Sequence, residues 1–452
     1  MKKENHILIF DIGKTNKKVL VFDEAYNVVY QEAKQFEEVS DEEGFPCDDL
    51  TAISSWVKER FQTLCSSDNL NVVRVNFSTY GASWVYLNHA GECVGPLYNY
   101  LKPFPVSLQQ MVDEKYGLAR LSSETGSPFA GMLNSVFQLY WIQKCKPGQF
   151  SQIQTSLHFP QYISYLFTQE KYSEYTSIGC HTALWDFKEN NYHKWVYEEG
   201  LDQVQAPIVN SGHLVSLEVH GKRVDFGPGI HDSSAALLPY IKANSEPFVL
   251  LSTGTWNVAL NPFTVFEESF SADVLYYKQI DGSPVKATRL FMGNEHDFQV
   301  RRVSEYFNVK ASFLLGMEFS PELYSRMEGQ PGSFFRFESL QSNSALTEEK
   351  WTELPTVEMA YHRLVYDLVQ LQVIALNKAM ATTTCYRVFV DGGFTKNDVF
   401  MKMLACALPK LRIFKSKTGI GTAVGAALVL DKGNFSEGVF RKIFDIDEVI
   451  VK

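Results

Sequence analysis

Surplus positive charge is what this 452-residue sequence lacks most plainly: 42 Lys and Arg stand against 52 Asp and Glu, a formal net charge of −10. No basic stripe offsets that balance, which argues against a nucleic-acid partner. Long apolar runs are missing too. Stretches such as Val424–Leu430 fall far short of the about 20 residues a bilayer requires, so no membrane association is expected. The two lysines and brief apolar run of Met1–Phe10 meet Asp11 and do not make a signal peptide. Cysteine is sparse and odd in number, seven with no C-x-x-C spacing. That fits reduced thiols, a cytoplasmic location and small buried side chains rather than a disulfide framework. With 28 glycines and 17 prolines the usage is ordinary, which excludes a collagen-like or disordered chain.

What is present is a large globular composition, 45% hydrophobic and 14% aromatic. At about 100–200 residues per domain the length implies two or three domains. The apolar runs His6–Ile12 and Lys18–Phe22 flank a short Gly/Asn turn and read as a hairpin, extended by Val28–Tyr30 to a meander. Asp49–Ser66 reads as a helix with Leu50, Ile53, Val57, Phe61 and Leu64 on one face. Val72–Phe77 reads as a strand, and Trp84–Leu87 with the turn Asn88–Gly91 as another hairpin. Residues 100–245 are less regular.

Two prolines around a polar stretch, Pro239 to Pro247, suggest a linker. A new strand–Gly turn–strand unit follows, through Phe248–Ser252 and Trp256–Leu260. Gly13 and Gly254 thus occupy matching turns near the start of each half, which suggests a weak internal repeat, though two unrelated hairpins would read the same. Toward the end, Thr356–Met380 is a long amphipathic helix, and strands at Tyr386–Val390 and Leu411–Lys415 alternate with helices at Asn397–Leu408 and Thr422–Leu430. That alternation implies an α/β architecture.

Four turns at predicted strand ends carry the chemistry. Asp11-Ile12-Gly13-Lys14-Thr15-Asn16 offers a carboxylate suited to hydrated Mg²⁺ and a Gly turn whose N–H groups can face a phosphate. Ser252-Thr253-Gly254-Thr255 offers a second such turn with hydroxyls. Asp391-Gly392-Gly393-Phe394-Thr395-Lys396-Asn397 lies between strand and helix, where bare backbone allows close approach and the helix start favours an anion. Gly229-Ile230-His231-Asp232 sets a carboxylate beside a helix start. Two phosphate turns, a Gly-Gly loop and two separated aspartates together point to phosphoryl transfer. Two rivals are weaker. Gly419-x-Gly421-x-x-x-Gly425 resembles a dinucleotide fingerprint, but too little chain follows it, and a helix packed closely by small residues is the better reading. Asn294-Glu295-His296-Asp297 could hold a metal but lacks a second cluster, so a solvated loop is expected there.

In order along essentially the whole chain, these motifs resemble the FGGY-type carbohydrate kinases. The Asp11–Asn16 start is similar to the family's D-x-G-x-T-N/T, and Thr79-Tyr80-Gly81 to its T-x-G sugar-side loop. His231-Asp232-Ser233-Ser234-Ala235-Ala236 is similar to H-D-x-x-A-A, Leu251–Trp256 to S-S-G-T-W, and Asp391–Asn397 to the G-G-G-x-x-N of the ATP site. The start and the S-x-G-T-W turn lean toward the branch with fuculokinases and rhamnulokinases. The resemblance implies two α/β domains, 1–243 on the sugar side and 244–452 on the ATP side, of the actin, hexokinase and heat-shock-chaperone (ribonuclease H-like) fold, closing on a central cleft about the Pro239–Pro247 hinge.

It further implies ATP as phosphoryl donor and Mg²⁺ held by Asp11 and Asp232, with Asp232 as catalytic base. Sugar contacts are expected from Thr79, Tyr80, Gly81, Ser83, Tyr100, Lys102, His231 and Asp232. ATP contacts are expected from Gly13, Lys14, Thr15, Asn16, Thr253, Gly254, Thr255, Gly392, Gly393 and Asn397. The acceptor implied is a 6-deoxyketohexose such as L-rhamnulose or L-fuculose; the resemblance leaves room for a homodimer. The chain departs from the pattern in three places. Tyr98–Pro105 lacks the family's W-x-D-x-R element, Ser83 stands where fuculokinases and rhamnulokinases carry Asp, and Phe394 replaces the third Gly of the ATP loop. These departures bear on which sugar is taken more than on the reaction. The rival function is a nucleotide-dependent switch of the same fold, which needs no base beside a sugar.

Overall fold

The structure, a computed structural model, describes residues 4–268, 271, 273–340, 349–381, 383–430 and 435–451. The chain forms two compact units. The first comprises Met1–Ala243, Val265–Val285 and Ile420–Ile443; the second comprises Asn244–Thr264, Lys286–Gly419 and Phe444–Lys452. Two stretches of the second half therefore pack with the first unit, which a single division of the chain at 243/244 does not anticipate.

The first unit starts with an antiparallel meander of β1 (His6–Ile12), β2 (Lys17–Phe22) and β3 (Val28–Lys34). All seven residues of β1 are buried, because it is a central strand covered on both faces, and its near-continuous apolar run follows from that. A small hairpin, β4 (Glu38–Ser40) and β5 (Pro46–Asp48), comes next. Helix α1 (Leu50–Cys65) is capped by Asp49, whose side chain accepts from Ala52 N, and it buries Ile53, Trp56, Val57, Phe61 and Leu64. The chain returns as β6 (Val72–Thr79), parallel to β1.

Strand β7 (Trp84–Leu87) turns through Asn88–Gly91 into a short hairpin, with Asn88 N donating to Glu92 O at 2.9 Å and Val94 N to Tyr86 O at 2.8 Å. Leu87 bridges Cys93 in that hairpin, and the longer ladder of β7 is with β8 (Thr155–His158). The intervening residues, α2 (Ser135–Cys145) among them, fold into an aromatic core of their own around Trp84, Phe137, Trp141 and Trp195. Helix α3 (Phe159–Thr168) follows β8. Strands β9 (Val215–Val219), β10 (Lys222–Phe226) and β11 (Ile230–His231) complete the sheet, in the order β9-β10-β6-β1-β2-β3 with β11 also on β6.

Helix α4 (Asp232–Ala243) contains Pro239 in its interior, so the expected linker does not begin there. Proline lacks the N–H that would bond the carbonyl four residues back, which is that of Ala235. The same carbonyl meets a helix from the other end of the chain, described below.

The second unit repeats the wiring of the first. Strands β12 (Val249–Thr253), β13 (Asn257–Asn261) and β14 (Pro284–Leu290) form an antiparallel meander. After α5 (Met292–Tyr306) and the long α6 (Val357–Met380), β15 (Arg387–Gly392) pairs in parallel with β12. Helix α7 (Asp398–Ala407) and β16 (Arg412–Lys415) follow. Its core joins Val249, Leu251, Tyr361, Leu364, Leu368 and Val390.

Helix α8 (Gly421–Leu430) belongs to the first unit and packs on α4. A Cβ added at Gly425 would lie 1.8 Å from the Ala235 carbonyl oxygen. Gly425 therefore serves a close helix crossing, and the carbonyl that Pro239 leaves without its usual donor is the one it abuts. Asn76 Nδ2 adds a hydrogen bond to Ala426 O at 2.8 Å. Among the described residues, no helix is long and apolar enough to cross a membrane. All seven cysteines are free thiols.

Candidate active site

Three parallel strand ends define the site of the first unit. In register, Asp11 lies beside Ser78, Ile12 beside Thr79, and His231 on the other side of Thr79. The carboxyl ends of β1, β6 and β11 thus deliver Asp11, Thr79–Gly81 and His231–Asp232 to one edge of the sheet, where open α/β sheets hold ligands. Asp11 is buried and its carboxyl is pushed up to about 6, first by burial and then by the nearby charge of Asp232, against the opposing charge of Lys18. Burial raises Asp232 to about 6 as well, opposed by hydrogen bonds from Ser233. Asp232 opens α4, where the helix dipole favours a carboxylate.

Two desolvated carboxylates in each other's field suit a small hard cation that binds through a couple of carboxylates and keeps its waters, as Mg²⁺ does. Among the described residues there is no group of three or more His, Cys, Asp or Glu able to hold a metal unaided.

His231 is buried, its Nδ1 has no hydrogen-bond partner among the described residues, and desolvation drives its pKa down to about 3. Its ring bears directly on Gly81: a Cβ there would lie 2.9 Å from His231 and 3.0 Å from Cys180 Sγ. Thr79 is buried and donates to the Tyr80 carbonyl at 2.9 Å. Ser83 Oγ is buried with no hydrogen-bond partner among the described residues. Tyr100 is raised to about 12, by burial and then by the charge of Asp232, which places it in the same field.

Other expected residues are otherwise engaged. Lys102 is buried and gives its ammonium to Asp41, with Glu43 at 2.9 Å. Gly13 N donates to Asn16 O at 3.0 Å, so that N–H closes the turn rather than facing a ligand. Lys14 Nζ contacts Asp48 at 2.6 Å and Glu38 at 3.2 Å. Thr15 and Asn16 are exposed, and Asn16 Oδ1 accepts from Gln35 Nε2 at 2.9 Å.

Sequence reasoning missed a group around His231. The rings of His181 and Tyr277 stand 6.4 and 5.5 Å from it. His158 stacks on Trp84 at 3.6 Å and is lowered to about 3, by burial and then by His231. Gln138 Nε2 holds Met132 O at 2.8 Å and also the Ala82 carbonyl. Ala82, His181 and Ala183 all have positive φ, at 57°, 44° and 58°. Non-glycine residues in that region are uncommon and gather at functional sites. No local pattern in residues 100–245 signals them.

In the second unit, β12 and β15 end together, with Ser252 beside Asp391 and Thr253 beside Gly392. Thr253 Oγ1 donates to Asp391 O at 2.6 Å and accepts from Phe394 N at 3.1 Å, so its hydroxyl is committed to the loop. Gly392 has φ 94°, and a Cβ there would sit 1.8 Å from Thr253 O. A cavity of about 550 Å³ opens beside this loop, lined by Gly254, Thr255, Asn294, His296, Gly393 and Asn397 among others.

The segment expected as a solvated loop, Asn294–Asp297, is instead the first turn of α5 and forms one wall of that cavity. It is held there by Gly293, whose N–H donates to Thr255 O at 3.1 Å. Asn397 lines the cavity, but its side chain is structural: Oδ1 caps α7 at Phe400 N, and Nδ2 donates to Tyr361 OH at 2.7 Å. Phe394 is mostly buried, packed on Phe400 and His296 with ring centroids at 4.6 and 5.1 Å.

Residues 6–212 match the model of the FGGY family of carbohydrate kinases, N-terminal domain. A rhamnulokinase of Halalkalibacterium halodurans is 25% identical over 267 residues, covering 56% of this chain and 56% of the relative. One from Mannheimia succiniciproducens is 22% identical and is covered over 53% of its length. The chain thus matches about half the length of each. Among solved structures, a carbohydrate kinase from Novosphingobium aromaticivorans superposes with a TM-score of 0.76 at 20% identity, covering 97% of this chain and 99% of that one. A ligand-bound xylulose kinase from Lactobacillus acidophilus gives 0.80 at 13% identity, covering 98% and 93%. The two-unit α/β fold is that of the sugar kinases.

Proposed function

We propose that this chain, whose residues 6–212 carry the N-terminal domain of the FGGY carbohydrate kinases, is an ATP-dependent sugar kinase of the cytoplasm. The observation that carries the reading is the meeting of Asp11, Thr79 and His231–Asp232 at one sheet edge. A carboxylate whose pKa lies near 6 is close to the best strength for a general base at neutral pH. Asp232 takes the proton of the acceptor hydroxyl as its oxygen bonds to the γ-phosphorus. The bond from that phosphorus to the β–γ bridging oxygen breaks, and ADP leaves.

The acceptor rests against Thr79–Gly81, Ser83, Tyr100 and His231. The nucleotide occupies the second unit's cavity, with Gly254, Thr255 and Gly393 giving bare or small surface for close approach. Asp11 and Asp232 would hold a hydrated Mg²⁺, which supplies charge neutralisation for the phosphates. Transfer brings the hydroxyl oxygen to within about 3–3.5 Å of the phosphorus.

For the acceptor we propose a 6-deoxyketohexose, L-rhamnulose or L-fuculose, phosphorylated on its C1 hydroxyl. The rhamnulokinase relatives and the motif branch support it. A coupled ADP-release assay over a panel including both, together with xylulose, glycerol and gluconate, tests the reading. Release stimulated by a 6-deoxyketohexose supports it. Stimulation by another sugar alone keeps the kinase and discards this acceptor. Slow turnover indifferent to every sugar would instead favour a nucleotide switch.

A further inference from the structure

One carboxylate that none of the motifs contains sits under both the Gly13 turn and the Thr79–Gly81 loop. Asp48 ends β5 and is 5% exposed. Three donors from two directions converge on it. Lys14 Nζ reaches Oδ2 at 2.6 Å from the turn between β1 and β2, and Lys17 Nζ reaches Oδ1 at 2.9 Å from the first residue of β2. Tyr80 OH donates to Oδ2 at 2.7 Å, from the loop after β6. The cluster is cross-braced: Lys17 Nζ also donates to Lys14 O at 2.7 Å, and Lys14 Nζ lies 5.8 Å from the Tyr80 ring centroid. Tyr80 in turn packs on Phe159 and Tyr100, with ring centroids at 5.3 and 6.1 Å.

The cluster is poorly suited to being a stability device alone. Desolvating a carboxylate and two ammonium groups consumes most of what their attraction returns, and well-packed apolar residues serve stability as well or better. What such a cluster does impose is a single relative placement of the segments it joins. Burial works to raise the Asp48 carboxyl, but the hydrogen bonds from Lys14, Tyr80 and Lys17 and the charge of Lys14 prevail and hold it below the usual carboxylate range. Asp48 is therefore ionised at neutral pH.

We infer that Asp48 is a positioning residue that locks the turn after β1 to the sugar-side loop after β6, with Lys14 acting as its tether rather than as a phosphate ligand. The inference rests on the kinase reading for its catalytic consequence only. A shift in Asp48 displaces both segments at once, and a misplacement of about 1 Å costs about 10²-fold in rate.

The full-length chain tests it through Asp48→Asn, Lys14→Met, Tyr80→Phe and the two double variants that contain Asp48→Asn. Two readouts are taken: KM for ATP and for the acceptor, and amide hydrogen exchange of residues 12–17 and 79–83. Tyr80→Phe should raise the acceptor KM about tenfold, and Lys14→Met the ATP KM by a similar factor. Asp48→Asn should raise both. Adding either partner change to Asp48→Asn should then do almost nothing more, because the shared interaction is already gone.

A Lys14 that touched phosphate directly would keep its own effect in the Asp48→Asn background, and additive double variants overturn the inference. Exchange supplies the test independent of catalysis. Tyr80→Phe, which removes one oxygen, should speed exchange in residues 12–17 as well as in its own loop. Unaltered exchange in 12–17 overturns the tie even where Asp48→Asn does not fold. If the wild-type chain phosphorylates no acceptor, the kinase reading fails while the exchange result still decides the role of Asp48.

Discussion

His231 Nε2 stands 3.2 Å from Asp232 Oδ1, and the two groups are driven in opposite directions, the imidazole down to about 3 and the carboxyl up to about 6. Near neutral pH the imidazole is therefore uncharged while the carboxylate beside it is ionised. A charged imidazolium at that distance would have stabilised the carboxylate and weakened it as a base. Burial of His231 beneath Gly81 keeps the pair from becoming an ion pair, so the basicity of Asp232 is preserved for a substrate proton.

From this we expect Asp232→Asn to retain the fold and nucleotide affinity while kcat falls by about 10²–10⁴, the usual worth of a positioned general base. Steady-state kinetics with the true acceptor and calorimetry with ATP check it. A variant with near wild-type kcat removes Asp232 from the chemistry.

The same shifts set a pH signature. Asp11 and Asp232 are each raised to about 6 in the folded chain from the ordinary carboxyl value of 3.8. Between roughly those values the folded chain holds protons that the unfolded chain has released, so these groups make stability fall as pH rises through the window. Above about pH 6 that loss is complete. Asp11→Asn should therefore melt higher than wild type at pH 8, by about 2–4 °C, with the gain vanishing below about pH 4. The wild-type kcat/KM should lose its base over the same range, falling on the acid side of about 6. Calorimetric scans from pH 4 to 8 decide the first point, and a melting difference that does not vary with pH contradicts it.

The fold was readable where periodicity and caps are local. Asp49, Thr356 and Asn397 each accept from the backbone at the helix start the sequence implied. The strand ends carrying Asp11, Thr253 and Gly392 also stand where their apolar runs stop. What escaped reading was set by distant partners. Pro239 looked like a boundary because a helix interior normally excludes proline; the Ala235 carbonyl it leaves without its usual donor is the one α8 crosses, and the glycine of that crossing lies 186 positions away. Lys14 and Lys102 looked available because their partners, Asp48 and Asp41, lie in a hairpin that carries no motif. His158 reaches the site from the end of β8, Gln138 from within α2 and His181 from a positive-φ turn, and none of the three leaves a mark in composition.

Gly81 offers a steric probe of the sugar-side loop. Its φ is not unusual, so Gly81→Ala adds no backbone strain, only a methyl group 2.9 Å from the His231 ring and 3.0 Å from Cys180 Sγ. One of them must move, and His231 carries Asp232 with it. We expect kcat/KM for the acceptor to fall about tenfold or more, with ATP affinity unchanged. Restored activity in Gly81→Ala/Cys180→Ala would show that the sulfur, and not the imidazole, takes up the strain. Full activity in Gly81→Ala alone would break the link between this glycine and the base.

The two adjacent glycines of the second unit should answer oppositely to substitution. Gly392 sits at φ 94°, and its Cβ position is filled by Thr253 O at 1.8 Å. Thr253 belongs to the neighbouring strand, so the obstruction is backbone and cannot rotate away. Gly392→Ala should separate β12 from β15 locally and lower stability by more than about 2 kcal/mol, as overpacked and strained positions do. Gly393 meets nothing within 4 Å, because its missing side chain would project into the 550 Å³ cavity. Gly393→Val should leave the melting temperature within a degree or two of wild type and instead fill the space proposed for nucleotide. The Kd for ATP should then rise about tenfold or more, while acceptor affinity stays the same. Paired melting and nucleotide titrations separate the outcomes. Unchanged ATP affinity in Gly393→Val, with the fold intact, would place the nucleotide elsewhere and take the cavity out of the mechanism.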